Sequence, residues 1–218
     1  MKTYLTPSHE IAERLESSRR WRDTQGKSGA RFYLAFDELP DIDLENATLF
    51  DATLQESNLT GARLDDADLA RALANGLRLD DAQCVACHFD KAELVEASFV
   101  RVIARRATFR KANLKAAQFI EADLREADFE GAVCNGASFQ NADLRGTRMT
   151  RALLLGADFT GALMAGVSLN GAVLDATTRF ASVQGLEHII AEHLFISGRL
   201  VRDAEVQLVL TDLARIGP

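Results

Sequence analysis

The most constraining feature of this 218-residue sequence is a five-residue period that runs from Ile42 to Ala176 without a change of phase. Each of its twenty-seven units has a small residue and, two positions later, a central residue that is Leu, Phe or Met in twenty-three units. The small residue is alanine in twenty units. The other central residues are Ala74, Cys84, Ala104 and Cys134. A chain with this period must repeat its backbone conformation every five residues.

A period of five fits neither the 3.6-residue turn of an α-helix nor the long alternation of a strand. Within a unit, the two apolar residues are two positions apart, which places their side chains on the same face of a short strand. All nine glycines between residues 42 and 176 occupy the second position after the central residue. Glycine favours the positive φ that the third residue of a type II turn requires. We therefore expect each unit to be a short strand followed by a corner.

Several units resemble the A(D/N)Lxx signature of the pentapeptide repeat proteins, among them residues 122–126 (ADLRE), 127–131 (ADFEG) and 142–146 (ADLRG). The resemblance covers residues 42–176. It implies an all-β solenoid, a right-handed quadrilateral β-helix with four units per coil and both apolar columns pointing inward. Twenty-seven units would make about 6.75 coils.

Four units per coil predict which central residues stack, because residues twenty apart then lie in one column. One column consists of Phe89, Phe109 and Phe129, continued by Met149 and Leu169. The opposite wall carries Phe99, Phe119, Phe139 and Phe159. Large and small residues alternate around each coil, as a densely packed core requires.

Residues 1–41 are predicted to form an amino-terminal cap on the β-helix. A helix is expected from Pro7 to Arg20, with proline at its first position. The alternation of Phe32, Leu34 and Phe36 with other residues predicts a strand that leads into the rod. Such a cap would cover strand edges that a stacked rod leaves unpaired.

Residues 177–218 are predicted to form two helices. The first would contain Leu186, Ile189, Ile190 and Leu194, and would end at Gly198. The second would follow Asp203 and present Val206, Val209, Leu210 and Leu213 on one face. These apolar faces need a partner, which is either the last coil of the same chain or a second copy in a homodimer. The family resemblance is compatible with both.

Motifs that resemble catalytic or cofactor sites have a structural explanation in the repeat. Residues 84–88 match the haem-attachment pattern C-x-x-C-H, but Cys84 is a central residue and Cys87 a small inward one. A zinc site there would need outward thiolates and a fourth ligand. Residues 26–28 (GKS) resemble the end of a P-loop without its preceding strand. The histidines are scattered: His9, His88, His188 and His193. We therefore expect no metal, no cofactor and no enzymatic activity.

Composition narrows the range of partners and locations. With 25 basic and 32 acidic residues the net charge is −7, which disfavours direct nucleic-acid binding. There is no signal-peptide pattern and no run of ~20 apolar residues that could span a membrane. Three cysteines suggest no disulfide framework. These features predict a cytoplasmic protein without membrane contact.

The outward charges are banded along the repeat. A candidate acidic surface consists of Asp65, Asp66, Asp80, Asp81, Glu93 and Glu96. The next four units carry a candidate basic belt of Arg101, Arg105, Arg106, Arg110, Lys111 and Lys115. The belt either binds a partner or offsets acidic neighbours in adjacent coils, and exposed ion pairs of the latter kind contribute about 0 to 1 kcal/mol each.

These features predict a non-catalytic scaffold that acts through its outer surface on an unidentified protein partner. The family resemblance supplies an alternative. Some pentapeptide repeat proteins bind DNA gyrase or topoisomerase IV and protect these enzymes from quinolones or other poisons, as acidic rods that imitate DNA. This sequence departs from them in two ways, because no loop interrupts the repeat and the basic belt divides the acidic residues.

Overall fold

The computed structural model describes residues 3–202 and 204–215. Its elements, in chain order, are helix α1 (His9–Asp23), strand β1 (Val173–Leu174), a 3₁₀ turn (Leu186–His188), strand β2 (His193–Ile196), strand β3 (Arg199–Arg202) and helix α2 (Ala204–Arg215). Between α1 and β1, single parallel bridges join residues twenty positions apart, as in Asp43–Arg63 and Val133–Leu153. Four five-residue units therefore form each coil of a quadrilateral β-helix.

The corners of the coil have the backbone conformation that the glycine pattern predicts. The second residue after the centre has a positive φ in every unit from Phe36 to Gly171. Glycine is not essential there, since Arg106 has a φ of 57° and Gly131 a φ of 66°. From the corner at Asn46 to the corner at Gly171, each is closed by a backbone hydrogen bond, such as the one that Ala132 N donates to Phe129 O at 3.0 Å.

The inward columns form one continuous core. All central residues from Leu49 to Leu174 are fully buried, and the alanines of the small column from Ala52 to Ala172 are at most 1% exposed. The two predicted phenyl columns are confirmed, with parallel neighbouring rings whose centroids lie 4.6–5.1 Å apart. Rings of opposite walls meet edge to face, at 5.7 Å between Phe89 and Phe99. This combination of offset stacks and edge contacts is the arrangement that aromatic quadrupoles favour.

Helix α1 begins two residues later than predicted. Ser8 is the N-cap, and its Oγ accepts a hydrogen bond from Ile11 N at 3.3 Å. Pro7 therefore lies before the cap rather than at the first helical position. A serine oxygen satisfies a free N–H at the start of a helix, whereas proline only removes one.

The repeating coil begins before Ile42, so the lead-in strand is part of the first coil. Tyr33 bridges to Thr53, and Leu34 N donates to Thr53 O at 2.7 Å. Leu34 is buried as a central residue would be, whereas Phe36 is 68% exposed. Phe36 therefore does not continue the alternation of Phe32 and Leu34, because it occupies a corner with a φ of 62°.

Open strand edges of the first coil pair with segments that precede it. Leu5 N donates to Asp41 O at 2.8 Å, and Asp43 N donates back to Leu5 O at 2.8 Å. On another side, the Ser18 Oγ of α1 donates to Thr48 O at 2.9 Å. Backbone groups that an earlier coil would otherwise satisfy thus find partners in the amino-terminal segment.

The coil also continues past Ala176, where the sequence predicts a helix. The bridge spacing lengthens to 21 residues at Asp158–Arg179 and to 22 at Ser168–Ile190. Phe180 extends one phenyl column, with its ring centroid 5.1 Å from that of Phe159. The last coil therefore contains two extra residues, which interrupt the five-residue phase without ending the structure.

The predicted helix from Leu186 to Leu194 is wrong. The residues form the 3₁₀ turn Leu186–His188 and the start of β2, and β2 pairs in parallel with β1. Ile189 and Leu194 are buried, five residues apart, as the small-residue positions of successive units are. The apolar residues of the last coil therefore happen to have the spacing that is typical of a helix.

The second predicted carboxyl-terminal helix is confirmed as α2. It follows the antiparallel hairpin of β2 and β3. Val206 and Leu210 are buried in the chain's own core, and Val209 and Leu213 pack partly buried against it. Gln207 Nε2 also donates to Ile189 O at 3.3 Å. The apolar face of α2 is thus covered by the last coil of the same chain.

Replacing Ala122 with Leu should overpack the core, because the Ala122 side chain is only 1% exposed between neighbouring coils. Overpacking of this kind costs about 1 to 3 kcal/mol of stability. Ala127→Leu should behave alike. Chemical denaturation measures the loss, and Ala70→Leu, at an outward position that is partly exposed, is the matched control. Equal stability of A122L and A70L would contradict the inward assignment.

Candidate interaction surface

The quadrilateral coil sorts outward residues onto four faces. Each face is named by central residues that lie twenty apart: face A by Leu54, Ala74 and Leu94; face B by Leu59, Leu79 and Phe99; face C by Leu64, Cys84 and Ala104; and face D by Leu69, Phe89 and Phe109. In each unit the residue before the centre and the two after it point outward. The exposed chemistry is therefore arranged in columns that run along the rod.

The candidate acidic surface does not lie on a single face. Asp65 and Asp66 are on face C, Asp80 and Asp81 on face B, and Glu93 and Glu96 on face A. The acidic residues therefore lie on three different faces, in units that are fifteen residues apart, rather than along one face of the rod.

Part of this acidic set stabilises contacts between coils. Asp65 Oδ1 accepts a hydrogen bond from Val85 N at 2.8 Å, in the next coil of the same face. Asp80 Oδ1 likewise accepts from Val100 N at 3.1 Å. These carboxylates therefore have a structural role besides their charge.

The candidate basic belt encircles one coil, as its sequence spacing requires. Half of the belt is engaged in ion pairs. Arg101 binds Asp81 of the previous coil, with both atom pairs at 2.7 Å. The other two belt residues bind aspartates of the following coil. Arg105 Nε lies 2.6 Å from Asp123 Oδ2, and Arg110 Nε lies 2.5 Å from Asp128 Oδ2.

The other half of the belt is Arg106, Lys111 and Lys115. Within residues 3–202 and 204–215, these three side chains make no ion pair. Three residues of the belt thus offset acidic neighbours in adjacent coils, and the other three have no ion pair among the described residues.

A shallow groove on face C brings together residues that the sequence analysis did not combine. We call it the arginine groove, and it is lined by Val85, Arg105, Arg106, Arg125 and Glu126. Arg125 was not singled out from the sequence, although it stands twenty residues after Arg105 in the same column. Applying the twenty-residue register to the charged residues, as well as to the phenylalanines, would have identified it.

Asp123 holds two arginines of this groove in place. Arg125 binds it through two nitrogens, with both distances 2.8 Å, while Arg105 binds through Nε. Burial by itself would raise the pKa of Asp123, but the hydrogen bonds from Arg125 and Arg105 outweigh this effect and lower the pKa to about 2. The carboxylate is therefore ionised at neutral pH.

The C-x-x-C-H motif places its cysteines in the core and its histidine on the surface, as the repeat predicts. Cys84 and Cys87 are fully buried, whereas His88 is exposed. Cys87 Sγ donates to Leu64 O at 2.7 Å, and burial raises the pKa of this thiol well above its ordinary value. Among the described residues, no group of three His, Cys, Asp or Glu side chains is placed to hold a metal ion.

The segment that resembles a P-loop is a tight turn after α1. Gly26 N donates to Trp21 O at 2.8 Å. Gly29 has a φ of 82°, and a Cβ there would lie 2.2 Å from Ser17 O, so only glycine fits.

In the part of the chain that the structure describes, no helix has the length and apolar character needed to cross a bilayer.

Comparison with known families agrees with this architecture. A model of the pentapeptide repeat region matches residues 82–159, and a model of eight pentapeptide repeats matches residues 42–76. The chain belongs to the pentapeptide repeat family, whose members fold as right-handed quadrilateral β-helices. No match was found among curated proteins.

Solved structures of the same family resemble the chain to varying extents. HetL, involved in heterocyst differentiation regulation in the cyanobacterium Nostoc, is 23% identical over 78% of this chain and 89% of its own, with a TM-score of 0.38. The plasmid-mediated fluoroquinolone resistance protein QnrB1 is 12% identical over 87% and 99%, with a TM-score of 0.47. A protein of the Arabidopsis thaliana thylakoid lumen is 38% identical over 35% and 56%, with a TM-score of 0.29. These similarities assign no partner to the chain.

Replacing Asp123 with Asn should destabilise the folded chain at neutral pH by about 0.5 to 2 kcal/mol, because it removes a charge that two partly exposed arginines bind. A lowered pKa contributes stability that is fully present above the unfolded value of 3.8 and is lost as the pH falls toward about 2. The difference in melting temperature between wild type and D123N should therefore shrink between pH 4 and pH 2.

The control for this experiment is Asp66→Asn, an exposed aspartate at a corner of the same face. Its effect on stability should stay within about 0.5 kcal/mol. A D123N deficit that is independent of pH would show that the ion pairs do not stabilise the fold.

Proposed function

We propose that this chain is a non-catalytic scaffold that binds a protein partner through the outer surface of its rod. One observation carries the proposal. The coil fixes outward side chains in columns with a spacing of about 4.8 Å, while the inward positions are used up by the core. The units of this chain therefore differ from one another mainly at outward positions, and a regular surface with varied side chains suits recognition of a macromolecule.

The grooves on this surface support binding rather than catalysis. The arginine groove and a polar groove beside Ser138 and Gln140 are both shallow and open to solvent. Small-molecule sites usually enclose most of the ligand. Pentapeptide repeat proteins are generally structural or interaction proteins, which supports the same conclusion.

The segments at both ends have a supporting role in this proposal. We infer that residues before the coil and helix α2 cap the rod. The pairing of Leu5 with the first coil and the burial of Val206 and Leu210 against the last coil support this inference. Covered ends keep the rod from adding further strands. A cytoplasmic location stays a prediction from the sequence.

Imitation of DNA is the alternative function, and a topoisomerase assay separates it from the scaffold. A DNA mimic should inhibit gyrase supercoiling or relieve poison-induced cleavage, and should lose this effect when Asp65, Asp66, Asp80 and Asp81 are all changed to Asn. Asparagine keeps an oxygen that can accept the hydrogen bonds from Val85 N and Val100 N, so the variant should stay folded.

For the scaffold we expect no effect on gyrase at large excess. The partner is then sought by affinity capture with wild type and with a variant in which Arg106, Lys111 and Lys115 become Glu. A partner retained by wild type and lost by this variant would support the proposal. Gyrase inhibition that disappears in the asparagine variant would replace the scaffold with the DNA mimic.

A homodimer at the carboxyl-terminal end stays a prediction, and the structure restricts how it could form. Because Val206 and Leu210 are buried within one chain, contacts between chains must use exposed apolar residues at this end, such as Leu208 (61% exposed) and Leu200 (37%). Sedimentation should then show that Leu208→Asp converts a dimer into a monomer. Leu73→Asp, on face A far from this end, should leave the mass unchanged. An unchanged mass in L208D would exclude this contact.

A further inference from the structure

The arginine groove has the composition of an anion-binding surface. Three guanidinium groups line it, from Arg105, Arg106 and Arg125. Two of them are restrained by Asp123, as described above, so little side-chain entropy remains to be lost when a ligand binds. Arg106 supplies positive charge that no described ion pair offsets.

The coil before these arginines leaves the groove open on one side. Val85 and Ala86 stand twenty residues before Arg105 and Arg106, in the same columns of face C. Their short side chains do not reach over the guanidinium groups. A ligand can therefore approach the arginines along the rod and rest on Val85.

The acidic residues in and beside the groove limit the kind of anion. Asp123 lies between Arg105 and Arg125, and Glu126 is part of the lining. The closely spaced phosphates of a nucleic acid would meet these carboxylates. Separate carboxylates on an extended peptide can instead pair with single arginines, whose guanidinium fork matches a carboxylate.

We propose that the arginine groove binds an extended acidic segment of the protein partner, with carboxylates of that segment on Arg106 and Arg105 and its backbone along Val85. The inference rests on the proposed scaffold function and specifies the chemistry of the partner. The side chain of Arg106 makes the principal charge contact, since Arg105 and Arg125 already share Asp123.

Fluorescence polarisation with the full chain tests this inference, using a fluorescein-labelled octapeptide of alternating Glu and Gly. Arg106→Glu should weaken binding at least tenfold. The variant is compatible with the fold, because glutamate occupies the same left-handed corner position at Glu96, Glu121 and Glu126. Added salt should weaken binding of the wild type as well.

Arg151→Glu is the matched control. Arg151 is an exposed arginine with a φ of 57°, at the same corner position but outside the groove. R151E changes the net charge by the same amount as R106E, and the affinity of R151E for the peptide should stay within twofold of wild type. Equal losses in R106E and R151E would mean attraction by general charge and would overturn the inference.

Two further probes make the test specific. The same octapeptide with Gln in place of Glu should not bind, and an oligothymidylate with the same number of charges should bind more weakly than the Glu peptide. Tighter binding of the oligonucleotide would overturn the assignment to a peptide. If the Glu peptide fails to bind while affinity capture still recovers a partner, the inference is wrong and the scaffold function stands.

Discussion

The whole rod depends on a backbone that turns through the left-handed region once every five residues. A side chain makes this conformation unfavourable by about 1 to 2 kcal/mol per residue, yet corners such as Arg106 and Glu126 adopt it without glycine. Contacts between coils offset the cost. The N–H of Arg106, for example, donates to Arg125 O at 3.0 Å, and the adjoining central residues are fully buried. A corner is therefore stable only because the next coil is present.

This dependence explains why the inside of the rod is uniform and the outside is not. Alanine fills most positions of the small inward column, and a polar residue there is accommodated by a hydrogen bond, as Thr147 Oγ1 donates to Leu124 O at 2.9 Å. Outward residues meet no such requirement. They interact instead with neighbours in adjacent coils, so that Asp123 and Asp128 each bind two arginines. The surface charge that a partner meets is what remains after this pairing.

The ends were less predictable than the coils, for a physical reason. Ile189 and Leu194 keep the five-residue spacing of the small inward column, but two extra residues put them out of phase with the repeat. One extra residue is accommodated where Asp175 Oδ1 accepts hydrogen bonds from Thr177 N and Thr178 N. When the bridges to the previous coil are not known, the spacing of the apolar residues from Leu186 to Leu194 also fits a helix. The sequence therefore predicted α2 correctly and mistook the last coil for a second helix.

The five-residue period of the sequence determined that the chain turns at every unit and where its corners lie. The family resemblance supplied the four units per coil from which the two phenyl columns were predicted. It also placed the basic belt around one coil. Only the tertiary structure decided which of those charges are compensated and that Arg125 joins Arg105 and Arg106 in one groove. Arg125 lies 2.8 Å from Asp123 in its own unit and 3.5 Å from Asp143 in the next coil. Which carboxylate it binds more closely therefore depends on distances between side chains of neighbouring coils. Such distances between residues far apart in sequence exist only once the coils are stacked.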